Sequence, residues 1–180
     1  MFVRTPRLML RPGWREDARA VFDAVADEGI ARNLSRLPWP YRLEHAESWL
    51  EQPQDPAWPS CLIFLRTQGA PELAGGISIH VGEDCAPELG YWVARARWGQ
   101  GIATEAGQAI VAAARDTLRL PRLSSGHFVD NPASGRVLEK LGFRPTGRVV
   151  PRQSLARGRD VPCRLLELDF AEEDRVAMAA

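Results

Sequence analysis

The chain has 180 residues, 45% hydrophobic and 26% charged, which one compact domain with a ligand cleft accommodates. Lys and Arg number 23, as do Asp and Glu, so the formal net charge is zero and no global positive field favours nucleic acid as the main partner. The three cysteines are far apart and lack CxxC spacing, which indicates neither a disulfide framework nor a metal site.

The N-terminal sequence lacks the apolar core of a signal peptide, and no apolar run approaches the length that spans a bilayer. We therefore expect a single domain over residues 1–180, cytoplasmic and without a membrane partner. The C-terminal segment "AEEDRVAMAA" predicts a frayed end.

In the first half of the chain, strand and helix patterns alternate. "RLMLRP" alternates polar and apolar residues and stops at a proline, "EDARAVFDAVAD" spaces its apolar residues as a helix does, and "QGAP" joins two strand-like runs. These patterns predict a strand (7–12), two helices (16–27 and 43–52), a hairpin (61–67 and 72–81) and a third strand in antiparallel order (87–94).

In the second half, an alanine-rich stripe predicts a helix that begins near Ile102, followed by a strand over 122–130. Asn131 suits the N-cap of a further helix, with Gly142 as its left-handed C-cap. Strands over 144–150 and 163–170 then flank an arginine-rich hairpin. This order predicts an α+β layered fold, with a mixed, mainly antiparallel central sheet of about six or seven strands and helices on both faces.

The turn "RWGQGIATEA" carries two glycines immediately before a helix. N–H groups at a helix start have no intrahelical acceptor, and the helix dipole adds positive charge there, so such a turn can bind phosphate. Gly99, Gly101 and Ala103 lack bulk on the side that an anion would approach, while Gln100 and Thr104 could add donors. A tight structural turn is the alternative, because glycine-rich turns before helices are common.

The blocks "ELGYWVARARWGQGIATEA" and "NPASGRVLEKLGF", with the opening "TPRLMLRP", resemble the GNAT superfamily of acetyl-CoA-dependent N-acetyltransferases, and within it the RimJ/RimL-like branch. The family motif for the pyrophosphate, Gln/Arg-x-x-Gly-x-Gly/Ala, falls on residues 98–103 with a tryptophan in its first position. The resemblance implies the GNAT fold, acetyl-CoA as cofactor, and pyrophosphate binding by Trp98, Gly99, Gln100, Gly101, Ile102, Ala103 and Thr104.

The same resemblance implies that the strand ending at Trp92, Val93 and Ala94 splays from its neighbour at a bulge. Its freed backbone groups would pair with the pantetheine arm, and the N–H near Val93 would face the thioester carbonyl. Asn131 matches the family asparagine that contacts the cofactor, although its role as a helix cap explains it equally well.

Glu88 opens the strand that carries the implied thioester site, and it is our first candidate for the general base if burial raises its pKa. His80 and His127 are the alternatives, since imidazole titrates near neutral pH, although each also fits a packed or surface role. The family's usual tyrosine acid falls here on Leu138. Ser134, one turn earlier, is the candidate acid by resemblance, and satisfying local backbone groups is its structural alternative.

The acceptor amine is open between a protein N-terminus and a small molecule such as an aminoglycoside, a polyamine or an amino acid. Aromatic residues around the second helix, which are Trp39, Tyr41, Trp49 and Trp58, could line its pocket or belong to the core. A non-catalytic module that binds acetyl-CoA is the alternative function. The family resemblance and exposed strand edges near the C-terminal hairpin are compatible with a homodimer, and a monomer is the alternative.

Overall fold

The computed structural model describes residues 1–55, 57–82 and 85–171. The helices are α1 (Ala18–Val25), α2 (Glu28–Ala31), α3 (Leu43–Leu50), α4 (Ile102–Asp116) and α5 (Pro132–Lys140). The strands are β1 (Val3–Arg4), β2 (Leu8–Arg11), β3 (Ser60–Leu65), β4 (Glu72–Val81), β5 (Pro87–Val93), β6 (Arg122–Phe128), β7 (Arg144–Ser154) and β8 (Arg159–Asp169). The C-terminal segment expected to fray lies, beyond Ala171, outside the described residues.

All the strands form one sheet in the order β1-β2-β3-β4-β5-β6-β8-β7. Every neighbouring pair is antiparallel except β5 and β6, so the mixed, mainly antiparallel sheet is confirmed. The described residues contain eight strands instead of six or seven. The additional one is β1, a two-residue strand in which Val3 lies opposite Leu10.

Hydrophobic cores on both faces of the sheet hold the helices in place. Within β3, Ile63 joins the core under α4 and α5, whereas its neighbours Leu62 and Phe64 join the core under α1 and α3. This alternation is the period-2 geometry of a strand buried on both sides. On α4, fully buried residues recur every fourth position, which gives the narrow stripe that lets this helix lie close to the sheet: Ile102, Ala106, Ile110 and Ala114.

The strands β5 and β6 share a single register pair, Glu88 opposite Ser124, and then diverge. Two serine hydroxyls of β6 donate to β5 carbonyls at this point, from Ser124 Oγ to Pro87 O at 3.0 Å and from Ser125 Oγ to Leu89 O at 2.8 Å. Side chains therefore replace the backbone ladder, and the remainder of this edge of β5 is left without a strand neighbour.

The expected bulge in β5 at residues 92–94 was wrong. The pairing of β4 with β5 is continuous from the Gly75–Val93 pair to the Val81–Pro87 pair. The splay arises on the opposite edge, where β6 turns away, and it needs no extra residue in β5.

Within the described ranges, no helix is long and apolar enough to cross a bilayer. In the same ranges, His, Cys, Asp and Glu side chains form no group of three that could hold a metal ion.

Candidate active site

The turn before α4 presents a row of backbone N–H groups to solvent. Among the described residues, no acceptor bonds the N–H groups of residues 99–104. Gly99 and Gly101 both have φ of 75°, which favours glycine, yet a Cβ on Gly99 would meet nothing within 4 Å and one on Gly101 would meet only the end of Arg7. Glycine is therefore needed at both positions for the backbone conformation and not to prevent a steric clash within the protein. The space beside the turn is left open, as an anion site requires.

A cluster behind this turn fixes its position. Glu105 accepts from Thr5 Oγ1 at 2.6 Å and from Arg7 Nε at 2.6 Å, while Arg7 Nη1 donates to Gln100 O at 3.0 Å. Burial raises the pKa of Glu105, but these hydrogen bonds outweigh burial and hold the pKa below its usual range. The carboxylate is thereby turned toward Arg7 and Thr5. Gln100 donates from its side chain to Ala96 O at 3.0 Å, so that amide is engaged inside the turn.

The end of β5 offers its backbone to the splayed side of the sheet. The carbonyl of Trp92 faces Gly75 of β4, in the place where a Cβ would sit. Because peptide groups alternate along a strand, the N–H and C=O of Val93 face the opposite edge. The indole Nε1 of Trp98 donates to Val93 O at 2.7 Å, and Arg95 stacks 4.2 Å above the Trp98 ring. Sequence reasoning assigned Trp98 only a backbone role and missed this bond.

The side chain of Trp92 lies on the other face of the sheet from Val93, against Gly76, where it lines the cleft described below. The N–H of Ala94 donates to Ala74 O at 2.9 Å and so continues the pairing with β4. Of residues 92–94, the structure therefore turns only Val93 toward the open edge with its backbone groups.

Two hydroxyl groups meet between β5 and α5. The phenol oxygen of Tyr91 lies 2.7 Å from Ser134 Oγ and donates to Ser134 O at 3.1 Å. Burial raises the pKa of Tyr91 to about 12, against a smaller opposing effect of the hydrogen bond with Ser134. The tyrosine is therefore neutral and remains a proton donor at pH 7.

Sequence reasoning missed Tyr91. The sequence did carry a signal, since the period of 2 in a strand puts Tyr91 on the same face as Val93. Leu138, which occupies the family's tyrosine position, is fully buried in the core. Asn131 Oδ1 accepts from Ser134 N at 3.3 Å, so its role as an N-cap is present in the structure.

Glu88 is bound by an arginine from the far end of the chain. Arg152 Nη1 lies 2.5 Å from Oε1 and Nη2 lies 3.1 Å from Oε2, in a bidentate ion pair that is largely buried. The carboxylate that the sequence favours as the base is therefore not free. His80 lies opposite Glu88 in the β4–β5 register.

The pKa of His80 is lowered chiefly by burial. The charges of Arg36 and Arg152 lower it further, while the Glu88 carboxylate acts in the opposite direction. His80 is consequently a neutral imidazole at pH 7 and can accept a proton.

His127 is packed against a helix. Its Nδ1 lies 2.9 Å from Phe128 O, and a Cβ on Gly135 of α5 would come within 2.8 Å of Nε2. This arrangement matches the packed role that the sequence left open for His127.

A cleft of about 850 Å³ lies on the face of the sheet opposite α4 and α5. Its walls include three of the four aromatic residues singled out in the sequence, Tyr41, Trp49 and Trp58, together with His80, Glu88, Tyr91, Ser134 and Arg152. The fourth, Trp39, is not among the lining residues and is partly exposed. The cleft reaches the Tyr91–Ser134 pair through the opening between β5 and β6, so the candidate acid and base face one space.

One end of the cleft is bridged. In the turn between β7 and β8, Leu155 donates from its N–H to Ser35 O at 3.0 Å. Arg157 donates from Nε to Arg32 O at 2.7 Å and forms an ion pair with Asp130 at 2.6 Å. The loop between α2 and α3 is thereby joined to the hairpin, and the cleft is bounded on that side.

A helix start whose N–H groups no described residue bonds, a strand edge without a neighbour and a bounded cleft together suit an enzyme that holds an extended donor beside an acceptor. The model of the acetyltransferase (GNAT) domain matches residues 7–144, so the chain belongs to the GNAT acetyltransferase family. It is accordingly an N-acetyltransferase with acetyl-CoA as donor, and the predicted family, fold and cofactor are confirmed. Family membership also favours catalysis over the non-catalytic alternative.

Relatives and solved structures resemble the chain over most of its length. It is 29% identical over 156 residues to an uncharacterized N-acetyltransferase, YoaA, of Bacillus subtilis, covering 81% of this chain and 84% of the relative. A GNAT acetyltransferase from Bacillus anthracis superposes with a TM-score of 0.79 at 20% identity, covering 94% of this chain and 98% of that one. An acetyltransferase from Salmonella typhimurium that modifies the N-terminal serine of a ribosomal subunit protein superposes with a TM-score of 0.78 at 20% identity, covering 94% and 99%.

Proposed function

We propose that the enzyme transfers acetyl directly, in a ternary complex, to a primary amine at a peptide N-terminus or on a small molecule. The observation that carries this proposal is the row of N–H groups at residues 99–104, which no acceptor among the described residues bonds, beside the open edge of β5. The Salmonella relative, which modifies an N-terminal serine, supports a peptide acceptor. The bridged end of the cleft supports an acceptor that enters end-on.

Backbone groups at the end of β5 and in the turn before α4 fit the donor, acetyl-CoA. The N–H groups of residues 99–104 would hold the pyrophosphate, and the edge of β5 at Val93 would pair with the pantetheine arm. Bound acetyl-CoA supplies a thioester that an amine can attack. The Val93 N–H faces this edge, where a donor to the developing oxyanion lowers a barrier by roughly 3 kcal/mol. Contact of Asn131 with the cofactor remains a proposal beside its observed role as a cap.

His80 is the general base that the geometry favours. Deprotonation at pH 7 costs about 1.4 kcal/mol for an α-amine of pKa near 8, but about 4.6 for a lysine amine near 10.4. A neutral imidazole in the cleft is a sufficient base for deprotonating an α-amine. Glu88 would first have to leave Arg152, so we assign it to positioning His80 and Arg152.

Ser134 is the proposed acid for the leaving thiolate, with Tyr91 as the group that orients it. Tyr91 donates to Ser134 O at 3.1 Å and its phenol oxygen lies 2.7 Å from Ser134 Oγ, so the tyrosine fixes the position of the serine hydroxyl. Proton transfer by a positioned group contributes about a hundredfold or more in rate.

The test is release of free thiol from acetyl-CoA in the presence of a panel of α-amines and lysine amines. We expect release with α-amines, about a hundredfold slower in His80→Gln and within a few fold of wild type in His127→Gln, the matched control. Binding of CoA without release on any amine would support the non-catalytic alternative. Equal losses in the two histidine variants would refute the choice of base.

A further inference from the structure

Charged side chains of the described residues surround His80. Three charged groups act on this imidazole, namely the Glu88 carboxylate and the guanidinium groups of Arg36 and Arg152. Glu88 and Arg152 neutralise each other through their bidentate pair. Among the described residues that act on His80, Arg36 is then the one whose charge no ion pair offsets.

Arg36 lines the cleft with an exposed side chain. Among the described residues, no carboxylate forms an ion pair with it. Its backbone neighbour Ser35 accepts the hydrogen bond from Leu155, so the loop that carries Arg36 is attached to the hairpin on the far side of the cleft.

Among the described residues, one other carboxylate lines the cleft. Asp55 accepts from Ala57 N at 2.9 Å and is not among the charges that shift the pKa of His80. Among the described residues around His80, the charge that no ion pair offsets is therefore positive. Such a field opposes an acceptor with additional ammonium groups and attracts one that carries an anion.

We infer that the acceptor is a primary amine on a molecule that also bears a carboxylate or another anionic group, and that Arg36 binds this group. The inference rests on the proposed function, whose acceptor class it specifies. It disfavours polyamines and aminoglycosides, and it favours amino acids and peptides with acidic residues after a free N-terminus. A guanidinium can bind a carboxylate through two parallel hydrogen bonds, so Arg36 supplies selectivity as well as charge.

The experiment uses acceptors in matched pairs. Peptides that begin with serine followed by glutamates are compared with the same peptides carrying glutamines, and free glutamate is compared with free glutamine, so that the two arms separate a peptide source from a small molecule. Spermidine serves as a polycation. Thiol release gives kcat/KM, and calorimetry in the presence of CoA gives acceptor binding without turnover.

We expect the wild type to prefer the anionic member of a pair by about tenfold in at least one arm, as a charge-assisted hydrogen bond provides. Arg36→Gln should reduce this preference to about twofold or less, and Arg36→Glu should invert it. Arg148→Gln is the matched control, because Arg148 is exposed on β7 and is not among the residues lining the cleft. Its preference should equal that of the wild type.

The outcomes separate the two proposals. Thiol release without preference for anionic acceptors, or a preference that persists in Arg36→Gln, overturns the assignment of Arg36 and leaves the acetyltransfer intact. An absence of both release and binding with every amine overturns the proposed acceptor chemistry together with this inference.

Discussion

The ion pair of Glu88 with Arg152 lets the structural and catalytic roles of a carboxylate be separated. Its two charge-assisted hydrogen bonds, of 2.5 and 3.1 Å, join side chains that are 12% and 13% exposed. Removing one partner of a buried pair costs about 3–5 kcal/mol, and the residual exposure lowers our expectation for Arg152→Met to about 2–3 kcal/mol. That free energy is the cost of leaving the Glu88 carboxylate without its cation.

The assay is urea unfolding of four proteins: the wild type, Glu88→Gln, Arg152→Met and the double variant. Because the double variant removes both charges of the pair, it should regain part of the loss, which gives a coupling energy of about 2 kcal/mol in the double-mutant cycle. If the losses of unfolding free energy in the two single variants sum to the loss in the double variant within about 0.5 kcal/mol, the two residues are energetically independent and the reasoning is refuted.

The same variants test the chemistry. With His80 as base, Glu88→Gln should keep thiol release within about tenfold of the wild type, since only the positioning of His80 changes. A loss beyond about a hundredfold in a protein whose circular dichroism is native would return the role of base to Glu88.

The other predictions concern the donor corner, the acid, the pH dependence and the assembly. Gly101→Ala, at φ of 75°, should weaken CoA binding about tenfold in calorimetry, whereas Gly147→Ala, equally strained at φ of 79° but on β7, should leave it unchanged. Equal affinity in both variants would contradict an anion site at the turn. Tyr91→Phe should lower kcat about tenfold with unchanged CoA affinity and move the alkaline limb of the pH profile, as a change in packing alone would not. In pH profiles, kcat/KM should fall below about pH 8 as the α-amine protonates. A second, steeper fall should appear only below about pH 6.5, because the depressed pKa of His80 keeps the imidazole neutral down to that range, and this second limb should be absent in His80→Gln. The buried neutral imidazole also contributes stability above that pH, which is lost as pH falls through its pKa in the folded state. Gel filtration tests the homodimer, in which the edge strand β7 would form the contact between the two chains. Elution at the 20.0 kDa of one chain would contradict it.

Features set by neighbouring residues could be predicted from the sequence. The bounds of β4 and the first residue of α4 match the predictions, because turn residues and periodicity mark them locally. Gly142, predicted as a left-handed C-cap, has φ of 92°, which only a glycine adopts easily. The strands β7 and β8 run further than predicted, up to the turn at residues 155–158, because cross-strand pairing and not apolar alternation defines their inner ends.

Features set by distant residues could not be predicted. Arg152 reaches Glu88 across 64 positions, and Tyr91 reaches Ser134 across 43. No local pattern encodes either contact, since each depends on how β6 and α5 place two separate segments. The ion pairing of Glu88 and the orientation of Ser134 are therefore properties of the tertiary structure.

With CoA along β5, as proposed above, the opening between β5 and β6 makes the stability of this protein depend on that ligand. A ligand that lies along β5 completes a hydrogen-bonded row that the polypeptide leaves unfinished, and at a hundred times its dissociation constant it stabilises the folded state by about 2.7 kcal/mol. Thermal melting of the purified enzyme should accordingly shift with added CoA. Without CoA, the edge of β5 beyond Glu88 has no hydrogen-bonding neighbour in the sheet.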